Sequence, residues 1–249
     1  MRAKSVYSKI ISVIAALLLW QVAAMAASHF LLPSPLAVSG EIISLLGKSD
    51  TLSRLSYTFL SLSGGFLLGL VFGILPAVLA ARFPIIEAAL WPFMLTARSV
   101  PVVSFIILAY LYMSAKDIPL LIAFLIVVPV VYNNVLTGIK SEDRRLSEMA
   151  DVFSLSPARR LLYITLPSLK PHILSASKTG IGLAFKSGVA AEVITIAAGS
   201  VGERLYESKL FLDTEALFAW TLLLVIVCYG FEWLFVFLLR KAFERLERL

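Results

Sequence analysis

The chain has 249 residues, of which 59% are hydrophobic and 15% are charged, and its formal net charge is +6. This composition lies far from the average of soluble domains, so it excludes a soluble globular domain and indicates an integral membrane protein. The basic residues lie between apolar segments, which argues against a nucleic-acid-binding surface, and the single cysteine, Cys228, excludes an intrachain disulfide.

Six apolar segments are long enough to cross a bilayer, because a hydrocarbon core of roughly 30 Å needs about 20 helical residues. Three of them contain no Asp, Glu, Lys or Arg, and three are interrupted by charged residues. In chain order the predicted spans are 10–32, 55–81, 88–115, 118–139, 171–202 and 216–239. We therefore expect residues 1–249 to form a single, all-α transmembrane domain.

The first span has features of a secretory signal, because three basic residues precede an apolar run that ends near Ala24-Met25-Ala26. We favour a retained helix, since five more spans follow.

The distribution of basic residues predicts the orientation of the chain in the membrane. With the N-terminus in the cytoplasm, the inner segments hold fourteen Lys and Arg residues, and the outer segments hold five, namely Lys48, Arg54, Lys116, Arg204 and Lys209. This bias predicts that both termini are cytoplasmic.

Three glycines in the second span indicate close helix packing. Gly65, Gly69 and Gly73 recur every four residues, so they share one helix face and let another helix approach.

The third span contains a predicted break. The stretch ARSVPVVSF places Arg98, Ser99 and Pro101 midway through an apolar run. Pro101 removes a backbone hydrogen bond, which is tolerated where protein or a water-filled cavity satisfies the backbone. The helix is therefore either kinked for packing or lines a solute pathway.

The fifth span contains a lysine that superficially resembles that of a phosphate-binding loop. The stretch GIGLAFKS has phenylalanine at position 185, where such a loop needs glycine, so we reject nucleotide binding. Lys186 instead lies near the middle of the span, where a charge is costly and faces a bundle interior or an aqueous cavity.

Glu192, six residues after Lys186, lies about 240° around the helix, so the two residues share no face. Each is expected to find a partner elsewhere, and Arg98 is a candidate partner for Glu192. A structural buried pair, contact with a transported solute and snorkelling of the lysine all remain open.

The longest inner stretch, 140–170, predicts two short helices at the cytoplasmic surface. Leu146, Met149 and Phe153 fall at helical spacing, which predicts an amphipathic helix too short to span. Ser156 before Pro157 is a helix-start signal, and Pro167 is predicted to end the second helix. Short helices with exposed apolar residues suggest a knob that inserts into a groove of a partner, the alternative being a loop that rests on lipid headgroups.

At these residues the sequence resembles the EAA loop of ABC importer permeases. Glu148-Met149-Ala150-Asp151, Ser154 and Ile164-Thr165-Leu166-Pro167 match its pattern and spacing, except that Met149 replaces an alanine and Ser154 replaces a glycine. Serine costs more than glycine if the turn requires positive φ. LPSP at 32–35, the glycine-spaced span, SVPVVSF and AFKSGVAAEVI extend the resemblance to the nitrate/sulfonate/taurine branch of these permeases.

The resemblance implies a six-span, type I ABC importer permease in a bacterial inner membrane. Such a chain forms the translocation path as one of two permease copies, most simply a homodimer, with two ATP-binding subunits below and an extracytoplasmic solute-binding protein above. By carry-over, the ATPase contact comprises Glu148, Ala150, Asp151, Ser154 and Leu155, and Phe153 and Pro167 are counted with them as residues of the coupling loop. The resemblance leaves the solute open, with a small anion such as a sulfonate, taurine or nitrate as the best single expectation and another small nutrient as the alternative.

No catalytic role is predicted for the chain itself. It lacks Walker motifs, clusters of metal ligands and a Ser/His/Asp set, since His29 and His172 are its only histidines. We expect ATP and Mg²⁺ to bind the partner ATPase, and this chain to bind no cofactor. The alternative is a stand-alone secondary transporter or channel that uses Lys186 and Glu192, but such proteins usually have pseudo-symmetric halves, and none is evident here.

Overall fold

The structure, a computed structural model, describes residues 2–26 and 32–246. Every regular element in these ranges is helical, which confirms the all-α class. The α-helices are α1 (Arg2–Ala26), α2 (Pro35–Leu46), α3 (Ser49–Arg82), α4 (Pro84–Ser99), α5 (Val102–Tyr110), α6 (Ile118–Lys140), α7 (Arg144–Val152), α8 (Pro157–Arg160), α9 (Leu166–Thr195), α10 (Val201–Leu210) and α11 (Thr214–Leu246). A π-helical turn, Leu161–Thr165, joins α8 to α9.

Three of the described helices, α3, α6 and α11, are long and apolar enough to span a membrane. The predicted third span, 88–115, is not one straight helix. It consists of α4 and α5, which meet at 96° across Val100 and Pro101. Together the pair counts as at most one more span, so the number of six spans stays a prediction.

At the centre of the fold, α6 packs against both α3 and α9, and α3 and α9 also contact each other. Gly65, Gly69 and Gly73 are buried on the face of α3 that contacts α6. Without side chains at these positions, the backbone of α3 lies directly against the side chains of Val127 and Val131. The four-residue spacing of the glycines therefore corresponds to one continuous line of close contact.

The segment after the first helix forms a short helix that packs on the bundle. The side chain of Ser34 caps α2 by accepting a hydrogen bond from the Ala37 amide, and Pro35 occupies the first turn, where its missing N–H costs nothing. Val38 and Leu45 are buried in a cluster with Trp220 of α11. The buried face of α2 therefore contacts α11.

An ion-pair network joins the predicted outer end of α3 to α10. Arg54 lies 2.6 Å from Glu203, and Arg204 lies 2.7 Å from Asp50. Partial burial by itself raises the pKa of Glu203, but hydrogen bonds from Arg54 and the Gly199 amide outweigh it and lower that pKa. Glu203 is therefore a carboxylate that helps to hold α10 against α3.

Candidate functional site

The break between α4 and α5 opens a cavity of about 460 Å³ against α6 and α9. Pro101 has no N–H to continue the helix, so α4 ends with the Val100 amide bonded to the Thr96 carbonyl, and α5 starts in a new direction. Apolar side chains from α4, α5, α6 and α9 form most of the lining. The break predicted from Pro101 is therefore present, and a cavity lies beside it.

Arg98 and Lys186 are the charged residues among those that line this cavity. Neither makes an ion pair or hydrogen bond within the described part of the chain, and no acidic side chain lines the cavity there. Ser99 is not part of the lining, and its hydroxyl donates to the Leu95 carbonyl at 2.8 Å. The arrangement suits an anionic or aqueous occupant, because insertion of a central Lys or Arg costs about 2.5–3.5 kcal/mol without one.

Glu192 lies elsewhere, in a fully buried position between α3, α9 and α10. Its Oε2 atom accepts hydrogen bonds from the Thr58 hydroxyl at 3.1 Å and from the Gly202 amide at 3.0 Å. The Val201 amide donates in turn to the Thr58 oxygen. Glu192 therefore attaches the start of α10 to α3. Its proposed pairing with Arg98 is wrong, because the carboxyl group of Glu192 bonds to Thr58 and Gly202, whereas Arg98 lines the cavity.

The end of α9 carries backbone strain beside Glu192. Ile196 has φ 48° and ψ 54°, a left-handed conformation that is a genuine outlier for a β-branched residue. The Ala197 amide bonds back to the Glu192 carbonyl at 3.0 Å. Both the side chain and the carbonyl of Glu192 thus hold the turn that leads into α10.

The loop at 140–170 contains the turn on which the family resemblance depends. Helix α7 ends in a Schellman motif, in which the Leu155 amide bonds to the Ala150 carbonyl at 2.9 Å and the Ser154 amide to the Asp151 carbonyl at 3.1 Å. Ser154 occupies the left-handed position of this motif, with φ 49°. A glycine is the usual residue there, so serine keeps the turn at a cost in backbone strain.

The surface of this loop carries both apolar and charged exposed side chains. Phe153 at the end of α7 is 72% exposed, while Ala150 is buried against the rest of the loop. Glu148, Asp151 and Ser154 are exposed as well, and Leu155 and Pro167 are half-buried.

Pro167 does not end the second loop helix, which corrects the prediction from the sequence. The chain continues from α8 through the π-helical turn directly into α9. Pro167 lies in the first turn of α9, where its missing N–H is tolerated. In the π-helical turn the Leu166 amide reaches back to the Leu161 carbonyl, and this wider turn leaves room for the proline ring. Helix α8 is therefore continuous with the long helix α9 through the π-helical turn.

Several residues that organise these sites were not identified from the sequence. Thr58 and Gly202 contact Glu192, and Arg160 and Glu142 belong to a charged cluster beside α7. Thr58 and Gly202 are 134 and 10 residues away from Glu192 in the sequence. Arg160 is 9 residues away from Asp151. Helical periodicity carries no signal for such contacts.

Comparisons with known proteins agree with the fold. Residues 65–248 match the family described as "Binding-protein-dependent transport system inner membrane component". A probable ABC transporter permease protein of Haemophilus influenzae is 26% identical over 230 residues, which cover 88% of this chain and 91% of that one. The putative aliphatic sulfonates transport permease protein SsuC of Bacillus subtilis is 27% identical over 202 residues, covering 80% and 72%.

Among solved structures, the inward-facing MetNI methionine ABC transporter is similar in fold, with a TM-score of 0.52 at 18% identity. The match covers 79% of this chain and 92% of that one. The family match extends over most of the chain and includes the glycine face, the cavity and the 140–170 loop. The chain therefore belongs to the family of inner-membrane components of binding-protein-dependent transport systems and is an ABC transporter permease.

Proposed function

We propose that this permease forms the path of an importer for small anions, such as a sulfonate, taurine or nitrate. As a permease of this family, the chain is a membrane-embedded transport subunit that works with an ATP-binding subunit and a solute-binding protein. The observation that carries the choice of an anion is the cavity lined by Arg98 and Lys186. The resemblance of the chain to a sulfonate permease is in keeping with this choice.

The position of Glu192 affects the charge of the cavity as much as the two cations do. If Glu192 faced the cavity, it would neutralise one of them and weaken any preference for anions. Its carboxylate is instead hydrogen-bonded to Thr58 and Gly202, away from the cavity. Arg98 and Lys186 are exposed in an open cavity whose lining is largely apolar and holds no acidic side chain, and apolar walls strengthen their attraction for anions because they lower the local dielectric.

Uptake by the reconstituted transporter tests the anion assignment. The probes are taurine, ethanesulfonate and nitrate, with uncharged riboflavin for comparison. Lys186→Gln is expected to reduce anion uptake by about tenfold, equivalent to the loss of one charge-assisted contact. Lys178→Gln is the matched control, because Lys178 is an exposed lysine of the same helix that does not line the cavity. Equal uptake by the two variants, or uptake of riboflavin alone by the wild type, would refute the assignment.

We propose that residues 148–155 dock into the ATP-binding subunit and that the 140–170 loop transmits its movement to the bundle. Support comes from the hydrogen-bonded turn that ends α7, the exposed Phe153 and the unbroken connection from α8 into α9. In this proposal the loop and the membrane helices move together as a rigid body.

A double substitution tests the docking surface. Glu148→Arg together with Phe153→Asp is expected to abolish co-purification of the ATP-binding subunit without unfolding the bundle. The control is Phe211→Asp, because Phe211 is 81% exposed at the opposite end of the bundle. A double variant that retains the ATPase and full activity would reject the docking assignment.

We further propose that two copies of this chain, as a homodimer, combine with two ATP-binding subunits in a bacterial plasma membrane. The exposed face of α9, with Gly182, Lys186 and Ala190, supports an arrangement in which the two copies face each other across the path. ATP and Mg²⁺ are assigned to the ATPase, and no catalysis or cofactor is assigned to this chain.

The alternative of an ion-driven transporter requires Lys186 and Glu192 to act together, and their separate environments give it no support. Reconstitution of the chain alone tests it. Solute flux driven by an ion gradient without the ATPase would overturn the ABC importer assignment.

A further inference from the structure

A charged cluster lies between the tip of α7 and the ends of the two central helices. Arg160 Nη1 donates to Asp151 Oδ1 at 3.1 Å, and its Nη2 lies 3.8 Å from Glu142 Oε1. The other oxygen of Glu142 accepts a hydrogen bond from the Thr165 hydroxyl at 3.0 Å. One arginine therefore connects the three segments that make up the 140–170 loop.

Each member of the cluster belongs to a different structural part. Asp151 lies on α7, immediately before the Schellman turn at Ser154. Glu142 follows the end of α6, and Thr165 ends the π-helical turn that continues into α9. Arg160 thus joins α7 to the segment that follows α6, and through Glu142 and Thr165 the cluster reaches the turn that leads into α9.

The solvent exposure of these side chains indicates that Arg160 positions α7 more than it stabilises the fold. The Asp151 side chain is 71% exposed and that of Arg160 is 37% exposed, whereas that of Glu142 is 14% exposed. Ion pairs exposed to this degree add little to folding stability, because water already solvates the charges well. The planar guanidinium does, however, fix direction, since its donors point along a rigid fork. Loss of Arg160 should leave the bundle folded and the orientation of α7 poorly determined.

We propose that Arg160 is the positioning residue that fixes the orientation of α7, so that movement of the ATP-binding subunit reaches α6 and α9. This inference rests on the proposed docking of residues 148–155. Arg160 acts through Asp151 and Glu142 and does not itself need to touch the ATPase. Its effect is on the coupling between hydrolysis and the membrane helices.

The test uses the whole transporter, with this permease, its ATP-binding subunit and its solute-binding protein in liposomes. Three variants are compared, namely Arg160→Gln, Arg160→Lys and Arg159→Gln. Arg159 is the matched control because it loses the same charge from the same short helix, is exposed, and makes no ion pair or hydrogen bond in the described ranges. The readouts are co-purification of the ATPase and ATP hydrolysis with and without the liganded solute-binding protein.

Arg160→Gln is expected to retain the ATPase and its basal hydrolysis, but to lose stimulation by the solute-binding protein by about tenfold. Arg160→Lys is expected to restore much of the stimulation, because the ammonium can still pair with Asp151 or Glu142, and Arg159→Gln should behave as the wild type. A nitroxide at Val152→Cys, in a Cys228→Ala background, should become more mobile in the Arg160→Gln permease.

The contrary results are distinct. If Arg160→Gln is stimulated as strongly as Arg159→Gln, the positioning role is wrong. If Arg160→Gln loses the ATPase altogether, Arg160 is a docking contact and the proposal is equally overturned. If the wild-type chain binds no ATPase, the proposed function itself fails, and this outcome is visible before any variant is made.

Discussion

Gly65 and Gly64 are neighbours in α3 that differ in what a methyl group would meet. A Cβ at Gly65 would lie 2.5 Å from the Leu120 carbonyl oxygen and 2.7 Å from the Ala123 Cβ. A Cβ at Gly64 would meet only the end of the Leu120 side chain, at an ordinary 3.7 Å. The two substitutions to alanine therefore share the same change in helix propensity and differ in packing alone.

The expected magnitudes follow from these distances. Replacing glycine by alanine in a helix contributes about 1 kcal/mol of stability through propensity. At position 65 the obstacle is backbone of α6, so the helices must separate by about 1 Å, and overpacking of this kind costs about 1–3 kcal/mol. The separation also loosens the contacts of Gly69 and Gly73 with α6, because a gap of 0.5–1 Å forfeits about a quarter to a half of each dispersion contact.

We therefore expect Gly64→Ala to be neutral or slightly stabilising and Gly65→Ala to be less stable than Gly64→Ala by about 1–3 kcal/mol, the cost of overpacking. For a chain of this size the difference corresponds to about 2–12 °C in thermal midpoint. The assay is thermal unfolding of both purified variants in the same detergent, with tryptophan fluorescence as the signal. Equal midpoints, or a lower midpoint for Gly64→Ala, would refute the close approach of α3 and α6 at these glycines.

Ser154→Gly is expected to raise the thermal midpoint, because glycine removes about 1 kcal/mol of left-handed strain, and a lower midpoint would contradict the turn geometry. Glu192→Leu leaves the donors of Thr58 and Gly202 without an acceptor, which costs about 1–3 kcal/mol for each donor. Glu192→Gln keeps an acceptor oxygen. The thermal midpoint should therefore be highest for the wild type, lower for Glu192→Gln and lowest for Glu192→Leu. The pKa of Glu203 is lowered on folding, so its stabilising effect is complete above its ordinary value of 4.5 and disappears as pH falls through the lower folded value. Arg54→Gln should reduce that acid sensitivity, and an unchanged slope of midpoint against pH would show that their ion pair contributes nothing.

Local patterns were sufficient to find the break between α4 and α5 and the packing face of α3. Pro101 removes a backbone donor wherever it lies, so the break between α4 and α5 was predictable from one residue. The four-residue spacing of Gly65, Gly69 and Gly73 likewise predicts a single contact face, since helix geometry alone puts them on one side. Ser154 was recognised as a departure from glycine, and its positive φ gives the physical reason why glycine is expected there.

Pairing between distant residues was not predictable. Glu192 was expected to pair with Arg98 because opposite charges attract, but the sequence carries no information about which helices lie within reach. Pro167 was taken as the end of a helix because proline cannot continue the regular bonding pattern, yet a π-helical turn before it accommodates the ring. In both cases a local rule was applied correctly and the neighbouring segments decided the result.

The sequence by itself determined that this protein is an apolar, all-helical membrane chain with a mid-span lysine, a proline break and a short amphipathic helix ending in an EAA-like turn. These properties follow from composition and spacing along a single segment. Only the tertiary structure decided that Arg98 and Lys186 share a cavity, that Glu192 lies apart from it, and that Arg160 connects α7 to the central helices. The reason is that the strength of a charge interaction depends on distance in space and on burial, and both arise only when segments far apart in the chain pack together.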